Sequence, residues 1–188
     1  MYEYTWVKPG DQRSISDVVD VVMTVSESDP FIGFSTDPGA DAAGALEKKL
    51  TDGLNSGQMH LLLINHDVDQ AIGCVALNQL FSFQNRHIAD LAIGAVRPTH
   101  RGRGVVTSAF REIVRRCAGL GVEHLRLEVH EDVPAEKLWR NYGFEEYGRF
   151  VDYARVDGDS YTGIYLAQSV DQLNANILDR SIPAAGPE

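Results

Sequence analysis

Residues 90–107 of the chain read DLAIGAVRPTHRGRGVVT, and this stretch decides the fold. The apolar run 91–96 ends before Arg97 and Pro98, because proline favours extended geometry in the preceding residue and cannot continue a sheet ladder. After residues 101–104, apolar side chains recur every three or four positions as far as Cys117, which indicates one face of a helix. The stretch therefore predicts a strand, a Gly-rich turn and a helix.

The predicted turn has the chemistry of an anion site. The first backbone N–H groups of a helix have no partner inside the helix, and the helix dipole adds partial positive charge there. Gly102 and Gly104 remove side chains that would hold a ligand away from the backbone, and Arg101 and Arg103 add positive charge. A phosphate group suits this position, although the tripeptide Gly-Arg-Gly by itself is equally consistent with a solvated connector.

The pattern V-x-P-x-x-R-G-x-G-V ahead of an amphipathic helix resembles the acyl-CoA pyrophosphate loop of the GCN5-related N-acetyltransferase (GNAT) superfamily. The family pattern Gln/Arg-x-x-Gly-x-Gly/Ala is met by Arg101 and Gly104, with Val106 where Gly or Ala is usual. The resemblance implies acetyl-CoA as cosubstrate, without a metal. It assigns cofactor contacts to Gly94, Ala95 and Val96 along the strand and to Arg101, Gly102, Arg103, Gly104, Val106 and Thr107 in the turn.

Residues 127–144 read LEVHEDVPAEKLWRNYGF and resemble the second GNAT signature, a Leu-x-Val strand followed by Asn-x-x-Ala-x-x-Leu-Tyr-x-x-x-Gly-Phe. Asp132 replaces the asparagine and is expected to cap the helix that follows. Trp139 stands where the family often has the tyrosine that protonates the departing thiolate, so the usual acid is missing. Tyr142, one turn further on, has the apolar spacing of a core residue.

The resemblance implies an α+β fold of the GNAT type, a mixed and strongly twisted sheet of six to seven strands flanked by helices, with two splayed central strands. The helix that follows the Gly-rich turn is expected to end at Gly119 and Gly121 in a left-handed stop. It joins two neighbouring strands, which predicts a right-handed parallel crossover. Residues 1–168 are expected to form one domain. Residues 169–188 are expected to be a polar tail containing at most a short helix near 170–178, with disorder from Pro183 onward.

The resemblance also implies direct acyl transfer to an amine without a covalent enzyme intermediate, which requires a base. Glu128 is the first choice, because its Leu-Glu-Val segment is similar to the one that carries the base in ribosomal-protein alanine acetyltransferases. The alternative for Glu128 is an ion pair with Arg126, its neighbour on the same face of the strand. Asp90 and His130 are the reserve candidates.

Composition limits the partners of the protein. Lys and Arg total 17 against 27 Asp and Glu, and the net charge of −10 argues against nucleic-acid binding. No apolar run is long enough to span a membrane, and the amino terminus lacks a secretion signal, so a cytoplasmic location is expected. Cys74 and Cys117 lie in apolar patterns that favour buried, reduced thiols and match no zinc motif.

The acceptor is expected to be a primary amine of a small molecule or a peptide amino terminus, and the sequence leaves monomer and homodimer open. The acceptor pocket is expected within residues 26–41 and 149–161, which contain Asp37, Asp41, Asp152 and Asp157. Acidic loops are usually only solvated, so these carboxylates are weak evidence. A second class of function, an acyl-CoA-binding sensor or interaction module without turnover, fits the departures at Val106, Asp132 and Trp139.

Overall fold

The computed structural model describes residues 1–29, 32, 41–67, 70–156 and 158–180. Within these residues the chain runs through β1 (Tyr2–Trp6), α1 (Gln12–Ser26), α2 (Ala42–Asn55), β2 (Met59–His66), β3 (Gln70–Gln79), β4 (Ile88–Val96), α3 (Val105–Leu120), β5 (His124–His130), α4 (Pro134–Asn141), β6 (Glu145–Val156), β7 (Asp159–Ser169) and α5 (Val170–Asp179). The strands form one sheet in the order β1-β2-β3-β4-β5-β7-β6. The predicted α+β class and the mixed sheet flanked by helices are confirmed.

The neighbouring strands β4 and β5 are parallel, and the other neighbours in the sheet are antiparallel. A parallel pair needs a crossover connection, which α3 supplies. The helix ends at Gly121, whose φ of +68° is the left-handed stop that the sequence predicts. The crossover therefore brings the ends of β4 and β5 to the same edge of the sheet as the start of α3.

Side chains of the sheet are buried on both faces. On β2, Leu62 belongs to the core under α3 and α5, and its neighbours Leu61 and Leu63 belong to the core under α1 and α2. This alternation explains why the strand reads as a continuous apolar run rather than as apolar and polar residues in turn. This part of the sheet therefore lies between two helical layers.

The helices α1 and α5 lie near the two ends of the chain. The side chain of Asp11 caps α1 by accepting from the backbone N–H of Ser14 at 3.2 Å. At the other end of the chain, α5 extends over Val170–Asp179 and buries Val170, Leu173 and Ile177 in the core. The segment predicted as a polar tail thus contributes apolar packing as far as residue 177, while residues 181–188 lie outside the described residues.

Candidate active site

The strands β4 and β5 pair only at their beginnings. Their register joins Ile88 to His124, Ala89 to Leu125 and Asp90 to Arg126, and beyond these three pairs the strands separate. The predicted splay of the central strands is therefore confirmed. A cleft of about 900 Å³ opens where the strands part, between β4, β5 and the start of α3.

A β-bulge lies on the β4 side of this cleft. Ala92 pairs with Ala76 and Ala95 pairs with Cys74, so Ile93 and Gly94 together oppose one residue of β3. The extra residue bends the strand and takes its backbone groups out of the regular ladder. Ile93 has a φ of +53°, an unusual value for a β-branched residue. Ile93 and Gly94, the two residues of the bulge, both line the cleft.

The Gly-rich turn closes the end of the cleft at the start of α3. Gly102 and Gly104 have φ values of +72° and +77°, and Gly104 is the N-cap residue of the 16-residue helix. A Cβ atom at either glycine would meet no described atom within 4 Å, so the space beside this backbone is open. The unpaired N–H groups and the dipole of α3 therefore border a space that can hold an anion.

Eight of the predicted cofactor contacts line the cleft, namely Gly94, Ala95, Val96, Arg101, Gly102, Gly104, Val106 and Thr107. The ninth, Arg103, is exposed on the turn and is not among the residues that line the cleft. The guanidinium of Arg101 donates to the carbonyl oxygen of Val96 at 3.0 Å and lies 3.6 Å from the carboxylate of Asp29. Arg101 is thus held at the end of β4, with Asp29 as a partner.

Glu128 lies on the opposite wall of the cleft, on β5. One oxygen of its carboxylate, Oε2, accepts a hydrogen bond of 2.6 Å from the hydroxyl of Tyr153 on β6. The alternative of an ion pair with Arg126 is not what the structure has, because Arg126 binds Asp90 instead. Burial and the hydrogen bond to the Glu128 carboxylate raise the pKa of Tyr153, so its hydroxyl stays protonated as the donor.

Asp90, one of the two reserve candidates for the base, does not line the cleft. Its two carboxylate oxygens accept from Nε and a terminal nitrogen of Arg126 at 2.8 and 3.1 Å. It occupies the last paired position of β4 and β5 and is not among the residues that line the cleft. The structure therefore does not bring Asp90 together with Glu128, and its geometry is that of an ion pair between the two central strands.

His130, the other reserve candidate, lines the cleft at the end of β5. Burial lowers the pKa of His130, and the nearby carboxylates of Asp29 and Glu128 offset part of this effect. Its ring packs edge-to-face against Tyr153, with ring centroids 5.6 Å apart. His130 thus lies in the same wall as Glu128 and Tyr153.

Trp139 and Tyr142 come from α4 and the residue that follows it. Trp139 lines the cleft and packs against Phe110 and Phe144 at centroid distances of 5.5 and 5.4 Å. Tyr142 is 5% exposed, as its spacing predicts, and its hydroxyl lies 2.5 Å from the hydroxyl of Thr107 on α3. This hydrogen bond ties α4 to the first turn of α3.

Asp132 does not cap α4, contrary to the prediction. Val133 is the N-cap residue, and Asp132 precedes it with a φ of +62°. The backbone N–H of Asp132 donates to a carboxylate oxygen of Glu136 at 2.8 Å, so the side chain of Glu136 reaches back to satisfy the start of the helix. The Asp132 side chain is exposed, and the local turn rather than its carboxylate directs the chain into α4.

The structure adds cleft residues that the sequence analysis did not name. Tyr153, Asp29 and Ile32 lie within the two segments expected to build the acceptor pocket, and Lys49 comes from α2. Of the carboxylates named in those segments, Asp152 instead binds Arg155 and Ser160, and Asp41 is exposed before α2. Asp37 and Asp157 lie outside the described residues. Both segments thus contribute side chains to the cleft, but no sequence signal distinguished the individual side chains.

Metal binding and membrane crossing would each need a particular feature in the described part of the chain. No group of three or more His, Cys, Asp or Glu side chains there is arranged to hold a metal ion. In the same residues, no helix is long and apolar enough to cross a membrane.

Comparison with known proteins gives the family. The sequence model of the acetyltransferase (GNAT) family matches residues 26–144. The L-amino acid N-acetyltransferase AaaT of Escherichia coli (strain K12) is 34% identical over 84 residues, which cover 44% of this chain and 51% of that protein. The match therefore spans about half the length of this curated relative.

Solved structures agree with the fold. A GNAT-family acetyltransferase from Streptococcus pneumoniae superposes with a TM-score of 0.74 and 18% identity, covering 90% of this chain and 99% of that one. Mycobacterium smegmatis RimJ in complex with CoA-disulfide gives a TM-score of 0.71 and 16% identity, covering 96% and 89%. The sheet with splayed central strands and the Gly-rich helix start thus define a GNAT-type protein. The chain belongs to the acetyltransferase (GNAT) family.

Proposed function

We propose that the protein is an acyl-CoA-dependent N-acetyltransferase that moves the acetyl group of acetyl-CoA to a primary amine of a small molecule or a peptide amino terminus. The observation that carries the proposal is the position of Glu128, which faces the unpaired edge of β4 across the cleft between the splayed strands. The name of the Escherichia coli relative supports an amino acid as one acceptor to test.

The residues of the cleft fit acetyl-CoA as a substrate. The volume of about 900 Å³ is at the upper end of ordinary small-molecule sites. The edge of β4 from Gly94 to Val96 is not paired with β5 and can accept an extended chain that carries amide groups, as an added strand would. At the far end, Gly102 and Gly104 leave the N–H groups of the turn accessible to a pyrophosphate.

In the proposed reaction the amine nitrogen attacks the carbonyl carbon of the thioester. The new C–N bond forms, the C–S bond breaks, and the CoA thiolate leaves with the electron pair of that bond. The Glu128 carboxylate takes one proton from the ammonium form of the acceptor, directly or through water, so that a neutral amine attacks. Backbone N–H groups at the Ile93 bulge are suited to stabilise the oxyanion that develops on the carbonyl oxygen.

The proposal needs no enzyme acid for the leaving group. Trp139 carries no proton of useful acidity, and the hydroxyl of Tyr142 is already bonded to Thr107. A thiolate is a tolerable leaving group, and it can take, through water, the second proton that the attacking nitrogen loses when the amide forms. The absence of the usual tyrosine at position 139 is therefore compatible with turnover.

The test mixes purified protein and acetyl-CoA with single amines from a panel of amino acids, short peptides and polyamines. Release of free thiol together with an acetylated product, identified by mass spectrometry, is the expected result for at least one class. Binding of acetyl-CoA in calorimetry without thiol release from any amine would support the sensor alternative and overturn the proposed activity. Failure to bind acetyl-CoA at all would overturn both.

A further inference from the structure

The hydrogen bond from Tyr153 to Glu128 involves one particular oxygen of the Glu128 carboxylate. Oε2 accepts from the Tyr153 hydroxyl at 2.6 Å, the short distance expected when the acceptor is charged. Glu128 itself is exposed and lines the cleft. One oxygen of a carboxylate that lines the cleft is therefore held by Tyr153.

Tyr153 reaches Glu128 because β6 contains a large bulge, in which three residues oppose a single residue of β7. Phe150 pairs with Gly163 and Ala154 pairs with Tyr161, so residues 151–153 oppose Thr162 alone. At the centre of the bulge Asp152 has a φ of +59°, and its carboxylate accepts from Arg155 at 2.9 Å and from Ser160 at 2.7 Å. These contacts hold a conformation that a regular strand would not adopt, and the bulge redirects the next side chain.

The redirected ring of Tyr153 lies on the backbone of Gly163 in β7. A Cβ atom at Gly163 would be 2.4 Å from Cγ of Tyr153, a distance that real Cβ atoms do not show. The φ of Gly163 is not in the left-handed region, so the glycine is needed for space rather than for backbone conformation. Tyr165 and His130 add edge contacts to the same ring, with centroid distances of 6.1 and 5.6 Å. The ring is thus packed into one place.

We propose that Tyr153 is a positioning residue for Glu128 and that Gly163 makes this position possible. The inference rests on the proposed function, in which Glu128 is the base. The rigid ring holds Oε2 so that Oε1 points at the acceptor amine, and the bulge of β6 supplies the ring from a strand two places away in the sheet. Tyr153 exchanges no proton with the substrates.

Tyr153→Phe keeps the ring and removes only the hydroxyl. We expect kcat to fall about tenfold, since a charge-assisted hydrogen bond that fixes the base is lost. The KM for acetyl-CoA should stay unchanged. Tyr147→Phe on the same strand, where the side chain is 56% exposed, is the matched control and should behave as wild type.

Gly163→Ala tests the space requirement. The added methyl group should displace the Tyr153 ring and lower kcat at least as much as Tyr153→Phe. Gly148→Ala is the matched control on β6, because its Cβ would come no closer than 4.0 Å to Tyr165. In a Tyr153→Ala background Gly163→Ala should have no further effect, since no ring remains to be displaced. If Gly163→Ala lowered kcat by the same factor in wild type and in Tyr153→Ala, the role of Gly163 would be overturned.

A third measurement tests the contact between Tyr153 and Glu128 and does not depend on catalytic turnover. In protein labelled at tyrosine Cζ, the Tyr153 resonance, assigned by its loss in Tyr153→Phe, should shift at neutral pH in Glu128→Gln, since the hydroxyl no longer donates to a carboxylate. An unchanged resonance, or wild-type kcat in Tyr153→Phe, would overturn the positioning role. Inactivity of the wild type towards every amine would overturn the proposed function instead, and the resonance would still report the contact.

Discussion

Arg126 binds the carboxylate of Asp90 with two hydrogen bonds, and these two residues form the last register pair between β4 and β5. Arg126 and Glu128 lie on the same face of β5, two residues apart. Because Asp90 engages the guanidinium, Glu128 keeps its carboxylate for Tyr153 and the cleft. The same pair marks the point where the two strands begin to separate, so it has a structural role at the base of the cleft.

Asp90→Asn should lower the free energy of unfolding by about 0.5–1 kcal/mol, because the pair is partly exposed and therefore screened by solvent. The side chains of Arg126 and Asp90 are 34% and 37% exposed. Urea unfolding at low and high salt measures the effect, which should shrink at high salt. Arg126→Gln in a double-mutant cycle isolates the pair. Unchanged stability combined with a loss of turnover as large as that of Glu128→Gln would instead make Asp90 a base.

Glu128→Gln should lower kcat by about two orders of magnitude, since the amide cannot accept the proton of the ammonium substrate. Steady-state rates of thiol release measure this, and calorimetry should give an unchanged affinity for acetyl-CoA. Glu123→Gln is the matched control, because Glu123 is exposed just before β5 and is not among the residues that line the cleft. Wild-type turnover in Glu128→Gln would remove Glu128 from the reaction.

Gly104→Ala should weaken CoA binding by about tenfold or more, because a left-handed alanine shifts the N–H groups of the turn. Gly158→Ala is the matched control in the turn between β6 and β7. Both glycines have positive φ, +77° and +91°, with no described atom within 4 Å of an added Cβ, so both variants should lose about 1 kcal/mol of stability. Calorimetric titration separates them, and equal affinity in the two variants would place the nucleotide elsewhere.

The stability of the protein should fall as the pH drops from 7 to 5, in part through His60. Burial, and then the positive charge of Arg116, lower the pKa of His60 below its ordinary value of 6.5. As the pH falls through 6.5 the unfolded state binds this proton first, so acid favours unfolding until the pH is below the lowered value. Urea unfolding at pH 7 and 5 should give a smaller difference for His60→Gln than for wild type. Equal differences would contradict this assignment.

Acetyl-CoA alone should leave the mass of the protein unchanged, because the proposed transfer is direct. Burial raises the pKa of Cys74 and of Cys117 to about 12, so neither thiol is ionised near neutral pH. Cys74 lines the cleft, and its thiol lies 3.5 Å from the carbonyl oxygen of Ile93. Cys74 is therefore the cysteine that would be nearest to a bound thioester. Intact-protein mass spectrometry after incubation without an amine checks this. A stable acetyl adduct on Cys74 would require a two-step mechanism.

Local sequence signals predicted those parts of the fold that depend on neighbouring residues. Pro98 follows the end of the strand, and Gly121 ends the helix. Such features follow from backbone geometry. The resemblance to a family supplied the splay of the central strands, which no local pattern would have given.

Features that depend on register could not be read from the sequence. The contact of Tyr153 with Glu128 needs the bulge of β6, and the pair of Asp90 with Arg126 needs the parallel alignment of two strands. The end of β3 likewise depends on its partner strand. The strand ends at Gln79, and Phe81 and Phe83 are exposed by 59% and 82%. Propensity alone does not fix where a strand loses its partner.

The left-handed conformation of Ile93 is costly for a β-branched residue, by about 1–2 kcal/mol. Glycine at this position would relieve that cost and also loosen the backbone that the proposed oxyanion contacts require. Directed evolution for heat resistance alone would therefore favour variants that relax this residue, and thermotolerant clones selected without an activity screen would tend to be slow enzymes.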